Sequence, residues 1–256
     1  MNPVPRGLIA ADLLQALSLE GCPICYTRSE SEHRYMHSLL WEHVNDDATR
    51  NHLRASLGCC GRHTWQIGRM EVDGFGSALG NGIIYQDLLG QVRSRLDEHR
   101  RRAGGYGQRP TRAPIRSRRR WPWESPESLL GPLDPCLICT VGERAERSML
   151  AWLVQGLSDE PSPFRVAYGH QGKLCLRHLN HALTLDAARG APGQQFLAEQ
   201  ARQDLERLSA DLDGFIAKHA WERRDDPMSV SEESAWNAAL AFFGGNEPGS
   251  GPGGHE

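Results

Sequence analysis

Apolar residues along this chain recur at intervals of three and four, the spacing of one face of an α-helix, and strand-like alternation is almost missing. Met36, Leu39, Leu40 and Val44 mark one amphipathic helix, and Met149, Leu150, Leu153 and Val154 mark a second with nearly the same layout. Capping boxes at Thr27 to Glu30 or Ser29 to Glu32, and at Thr140 to Glu143, are expected near their starts. Asp46 or Asp47 opens a short helix through Leu53 and Leu57 that stops at Gly58. The corresponding later stretch holds Pro161, Pro163 and Gly169 and is expected to be irregular.

Further helices are expected over 64–72, 179–187 and 83–102, the last with Ile84, Leu88, Val92 and Leu96 in line. Another starts near Pro192, where Leu197, Ala201, Leu205, Leu208, Leu212 and Phe215 alternate by four and three, a seam suited to helix pairing. A final helix over 231–243 would bury Trp236, Leu240 and Phe243 on one stripe. The expected fold class is all-α.

The two similar helices belong to a longer duplication. A shift of 114 lays Cys22, Ile24 and Cys25 on Cys136, Ile138 and Cys139, and a shift of 115 lays Cys60, Arg62 and His63 on Cys175, Arg177 and His178. Both copies read C-x-x-C, then 34 or 35 residues, then C-x-R-H. Such conservation of order and interval marks an internal repeat. The expected organisation is a first helical unit over 7–102, a basic linker rich in Arg, Gly and Pro over 103–134, a second homologous unit over 135–245, and a disordered C-terminal tail over 246–256.

Thiolates and imidazoles at these spacings are ligands for zinc, which prefers a closed tetrahedron in structural sites. The simplest assignment gives one ion Cys22, Cys25, Cys60 and His63, and a second ion Cys136, Cys139, Cys175 and His178. An exchange, in which each ion takes one pair from each copy, stays open. An iron–sulfur cluster is an alternative occupant for the same ligand types. Cys59, beside Cys60, has Leu174 as its counterpart and is expected to be a spare thiol. His33, His37 and His43 fall on Arg147, Ala151 and Leu157 and are expected on the surface.

Seven cysteines in close pairs, with no secretory signal in MNPVPRGLIAADLLQAL, argue for reduced thiols and a cytoplasmic protein. No run of 18 apolar residues appears, so no membrane association is expected. The net charge of -3 conceals an asymmetry: 11 arginines against Asp97 and Glu98 lie between Arg93 and Arg120. Arg116, Arg118, Arg119 and Arg120 run into Trp121 and Trp123, a candidate for contact with nucleic-acid phosphates and bases. G-x-S-x-G, H-E-x-x-H and G-x-x-x-x-G-K-[ST] do not occur, and no catalytic residue is assigned.

The G-C-P-I-C at Gly21 to Cys25, the SLLWEHVND at Ser38 to Asp46, the two C-x-R-H elements, and F-I-A-K-H-x-W from Phe215 with S-A-W at Ser234 resemble an uncharacterised bacterial family. That family carries a duplicated C-x-x-C and C-x-x-H unit, and the resemblance covers about Gly7 to Gly245. It implies two metal sites and no established activity. The functional expectation is a non-enzymatic protein with two zinc ions per chain that presents a surface to a protein partner. An iron–sulfur or thiol redox protein is the alternative, and nucleic-acid binding through the arginine-rich linker a third.

Overall fold

The fold was taken from a computed structural model, which describes residues 8–104, 130–131, 134–170, 173–223 and 225–246. Every regular element among them is helical. The order is α1 (Leu8–Leu17), α2 (Pro23–Ser38), α3 (Asp47–Ala55), α4 (Gly61–Phe75), α5 (Leu79–Gly104), α6 (Leu137–Ser158), α7 (Pro163–His170), α8 (Leu176–Leu183), α9 (Pro192–Lys218) and α10 (Val230–Gly244). A π turn, Leu39–His43, extends α2, and 3₁₀ turns cover Asp186–Ala188 and Trp221–Arg223. Most of the linker, including Arg116, Arg118, Arg119 and Arg120, and nearly all of the tail lie outside the described residues.

The compact units do not follow the sequence repeats. One comprises the chain up to Ser31 together with everything from Gly142 onward, and the other is Glu32–Val141. The chain therefore leaves the first unit within α2 and returns to it within α6. The first unit closes over Leu13, Leu17, Ile24, Leu153, Phe164 and Leu197, all essentially inaccessible. The second closes over Met36, Leu39, Leu53, Ile67, Ile84 and Ile138. Ile24 and Ile138, the third residues of the two C-x-I-C knuckles, thus anchor one knuckle in each core.

Several elements depart from expectation. The helices that carry Met36 and Met149 begin at the knuckles themselves, Pro23 and Leu137, so the expected capping boxes fall inside them. Thr27 Oγ1 accordingly donates to the Ile24 carbonyl rather than capping a start. The stretch expected to be irregular forms α7, because Pro163 stands in its first turn, where a missing N–H costs nothing. Ser162 Oγ accepts from Phe164 N at 3.2 Å and donates to the Gly156 carbonyl at 2.5 Å. The stripe of α5 is buried at Ile84 and Leu88 but exposed at Leu96.

The largest departure is α10. Ala235 is 1% exposed, whereas Trp236, Leu240 and Phe243, expected in the core, are 51%, 62% and 70% exposed. Polar clamps set the rotation of this helix: Ser229 and Glu232 form a capping box, and Lys218 Nζ on α9 bonds both Glu232 oxygens at 2.8 and 2.6 Å. Buried polar bonds also place α5, whose Gly80 and Asn81 amides donate to the Glu71 carboxylate of α4 at 2.6 and 2.9 Å.

Helix α9 approaches α6 closely at Gly193, where a Cβ would stand 2.1 Å from the Val154 carbonyl oxygen and 2.8 Å from Ser158 Oγ. Backbone cannot yield as a side chain can. Gly193→Ala is expected to lower stability by about 1–3 kcal/mol, read by urea unfolding. An unchanged midpoint would show that α9 can shift freely.

Candidate metal centres

All four ligand pairs stand at the start of a helix, the first residue just before it and the second three residues on. Cys22 precedes α2, Cys60 precedes α4, Cys136 precedes α6 and Cys175 precedes α8. Their carbonyls accept the first helical bonds, from Tyr26 N at 3.1 Å, Thr64 N at 2.9 Å, Thr140 N at 3.0 Å and Leu179 N at 2.8 Å. Cys60 and Cys175 share one backbone conformation, φ −64 and ψ 163 against φ −68 and ψ 162, and neither sulfur caps its helix. The sulfurs face other donors instead. Helix starts also favour negative charge, which suits thiolates.

The donors gather into two groups, Cys22, Cys25, Cys175 and His178 in the first unit, and Cys60, His63, Cys136 and Cys139 in the second. Within each group all donor atoms lie within 4.8 Å of one another. In the first, His178 Nδ1 is 3.3, 3.4 and 3.2 Å from the sulfurs of Cys22, Cys25 and Cys175, and Cys25 Sγ is 3.8 Å from Cys175 Sγ. In the second, His63 Nδ1 is 3.3, 3.5 and 3.4 Å from those of Cys60, Cys136 and Cys139, and Cys60 Sγ is 3.7 Å from Cys139 Sγ. Three sulfurs and one imidazole converging at this range could hold a metal ion.

The eight expected residues all fall in these two groups, but the grouping expected within each copy is corrected to the exchange. Each group joins the knuckle of one copy to the C-x-R-H of the other. Local bonds in the second unit show why: the Asp134 amide donates to the Ala55 carbonyl of α3 at 3.4 Å, and His52 Nε2 lies 3.2 Å from the Pro135 carbonyl. These tie the second knuckle beside Cys60 before α6 begins. The first knuckle, meanwhile, is held through Ile24 in the other core.

The protonation of the groups follows from burial and shared hydrogen bonds. Hydrogen bonds from Cys22 and Cys25 hold the Cys175 thiol far below its usual range, outweighing burial. A bond from Cys59, with a further one from His63, drives Cys136 down to about 2 in the same way. Burial pushes Cys22 upward, and Cys139 up to about 12. Burial opposes charge on the imidazoles too, yet bonds to Cys136 and Glu32 raise His63 to about 9, and bonds to Cys175 and Cys25 raise His178 to about 10. These directions favour negative charge on one sulfur and positive charge on the imidazole of each group, and a metal ion bound there would displace the protons they share.

Each histidine turns its other nitrogen toward a carboxylate. His63 Nε2 is 3.2 Å from Glu32 Oε2, which also accepts from Arg62 at 2.7 Å. His178 Nε2 stands 3.4 Å from Glu146 Oε2, an ion-pair distance without a hydrogen bond. Glu146 accepts from Arg28 at 2.6 Å and Arg177 at 3.1 Å, and its other oxygen is 2.8 Å from His181 Nδ1. Both carboxylates are buried. A carboxylate behind a ligating histidine fixes its tautomer and orientation. Sequence reasoning missed this pair, although the shift of 114 that aligns the knuckles lays Glu32 on Glu146. The arginine of each C-x-R-H is explained at the same stroke, as the residue that neutralises this carboxylate.

Cys59 is outside both donor sets. Its thiol bonds to Cys136, and that bond together with burial holds it protonated far above its usual range. His33 and His37 are exposed, and His43 lies 3.8 Å from Glu42; none joins a donor group.

The model of a family described as a family of unknown function (DUF6062) matches residues 12–248. An uncharacterised 23.9 kDa protein from the xynA 3′ region of Caldicellulosiruptor sp. (strain Rt8B.4) is 21% identical over 240 residues, covering 92% of this chain and 100% of that protein. No solved structure matches the chain.

Replacing Glu32 or Glu146 by Gln keeps the shape and removes the charge that holds each histidine. Metal affinity of the adjacent group is expected to fall by about 10–100-fold, measured by competition with a chromophoric chelator. The other group should be unaffected. Equal losses at both groups would mean that the carboxylates serve the fold rather than the ligands.

Proposed function

The chain belongs to the DUF6062 family, whose description assigns no activity, and we propose from its metal groups that it is a non-enzymatic, cytoplasmic zinc protein. Two structural ions brace helices that offer an apolar face to a protein partner. The size of the donor sets carries this reading. Zinc at about 2.3 Å from sulfur and about 2.0 Å from nitrogen makes a tetrahedron with edges of about 3.8 Å between sulfurs and about 3.5 Å from sulfur to nitrogen. In each group one sulfur pair stands at 3.7 to 3.8 Å, the histidine nitrogen lies 3.2 to 3.5 Å from all three sulfurs, and every donor is within 4.8 Å of the others. A multi-iron cluster spreads its ligands over separate irons and needs a wider set.

Three thiolates also favour zinc over harder cations. Four protein donors fill the tetrahedron, whereas catalytic zinc keeps a position for water. The reduced thiols suit a cytoplasmic setting, and among the described residues no helix is long and apolar enough to cross a membrane. Trp236, Leu240 and Phe243 on α10 supply the face for the partner. Their spacing of four and three is that of a helix laid into a partner's apolar groove.

Protein purified without added metal should contain two zinc ions per chain by elemental analysis. Iron with visible charge-transfer absorption would overturn the choice of metal, and absence of any metal would overturn the reading altogether. Joint replacement of Trp236, Leu240 and Phe243 by Ser should leave zinc content and helicity unchanged and abolish capture of the partner. Undiminished capture would remove α10 from the interface.

A further inference from the structure

The two groups differ in what covers them. In the first group Cys22 and Cys175 are 4% and 3% exposed and Cys25 is half-buried, whereas all three cysteines of the second group are half-buried. The extra cover comes from the residues that follow α10. Gly245 closes that helix, its amide donating to the Ala241 carbonyl at 3.0 Å. Its backbone then passes directly over the sulfurs: a Cβ on Gly245 would lie 3.0 Å from Cys25 Sγ and 3.8 Å from Cys175 Sγ. At φ +81 and ψ −164 this is a conformation that glycine alone takes without strain.

Asn246 fastens the next step. Its Oδ1 accepts from the Cys22 amide at 2.6 Å, and its Nδ2 donates to the Cys22 carbonyl at 3.2 Å. Both backbone groups of a ligand residue are thereby held by one side chain from 224 residues further along the chain. Gly21 leaves room for it, since a Cβ there would stand 2.5 Å from Asn246 Oδ1. The clasp is tied in turn to α10, whose Phe242 packs against the core that contains Cys22 and Cys175.

We propose that Gly245 and Asn246 form a latch over the first metal group, so that its ion exchanges only when the end of α10 lifts, while the second ion exchanges independently of α10. The proposal rests on the metal reading above. Gly245 lies against the sulfurs of Cys25 and Cys175, and Asn246 holds the backbone of Cys22. They are positioning residues and contribute no ligand atom. Local opening of a chain end sets the rate at which what lies beneath is exposed.

The full-length protein, its Asn246→Ala and Gly245→Ala variants, and a form ending at Gly244 are challenged with excess chelator and N-ethylmaleimide. Zinc release is followed optically and alkylation by peptide mass spectrometry. Loss of the two Asn246 bonds should speed zinc release from the first group by about tenfold or more. Alkylation of Cys22, Cys25 and Cys175 should accelerate with it, while Cys60, Cys136 and Cys139 keep the parental rate. Parental rates at Cys22, Cys25 and Cys175 in every variant, or equal acceleration at both groups, overturn the latch. Asn246 is only half-buried, so its alanine variant is expected to fold even if the truncated form does not, and circular dichroism checks this. A parental protein without zinc defeats the metal reading, and the alkylation contrast then still judges the latch.

Discussion

Convergence of two helix starts on one set of four donors is the constraint on which this fold depends. A residue just before a helix and the residue three places on face the same side. Cys22 with Cys25, Cys60 with His63, Cys136 with Cys139 and Cys175 with His178 all use this placement. Two such pairs must meet to complete a tetrahedron. The requirement fixes α2 against α8 in one unit and α4 against α6 in the other, and the buried carboxylates Glu146 and Glu32 hold the histidine of each set.

That local rule explains what could be read along the chain. Membership of the two donor groups was legible because the spacing of three is a property of one helix turn and because the duplication repeats it. The pairing was not, since nothing within seven or eight residues of a knuckle states which other helix start it will meet. The bonds that decide it, from Asp134 to Ala55 and between His52 and Pro135, join segments about 80 residues apart and obey no short-range pattern. Glu32 was hidden for a related reason. Seen beside Ser29 it looks like part of a helix cap, and only the superposition on Glu146 separates it from that role.

Helix α10 shows a different limit. Periodicity reveals that Trp236, Leu240 and Phe243 share a face, yet it does not reveal whether that face turns inward. Here Ser229, Glu232 and Lys218 hold the helix at its start and Gly245 at its end, and the core accepts the small Ala235 instead. Where polar clamps set the rotation of an element, apolar spacing alone assigns the wrong side.

The exchange of ligand pairs also nests one loop of the chain inside another. The second group closes the chain between Cys60 and Cys139, and the whole of that segment lies between the Cys25 and Cys175 ends of the first group. Closing a longer loop costs more chain entropy, though the cost grows slowly with length. An ion in the inner group removes most of the intervening residues from the loop that the outer group must close. As the chain leaves the ribosome, Cys22 and Cys25 emerge first and wait longest, until His178 has been made. The earliest thiols thus belong to the last donor set to be completed, and the two sets become complete from the inside of the sequence outward.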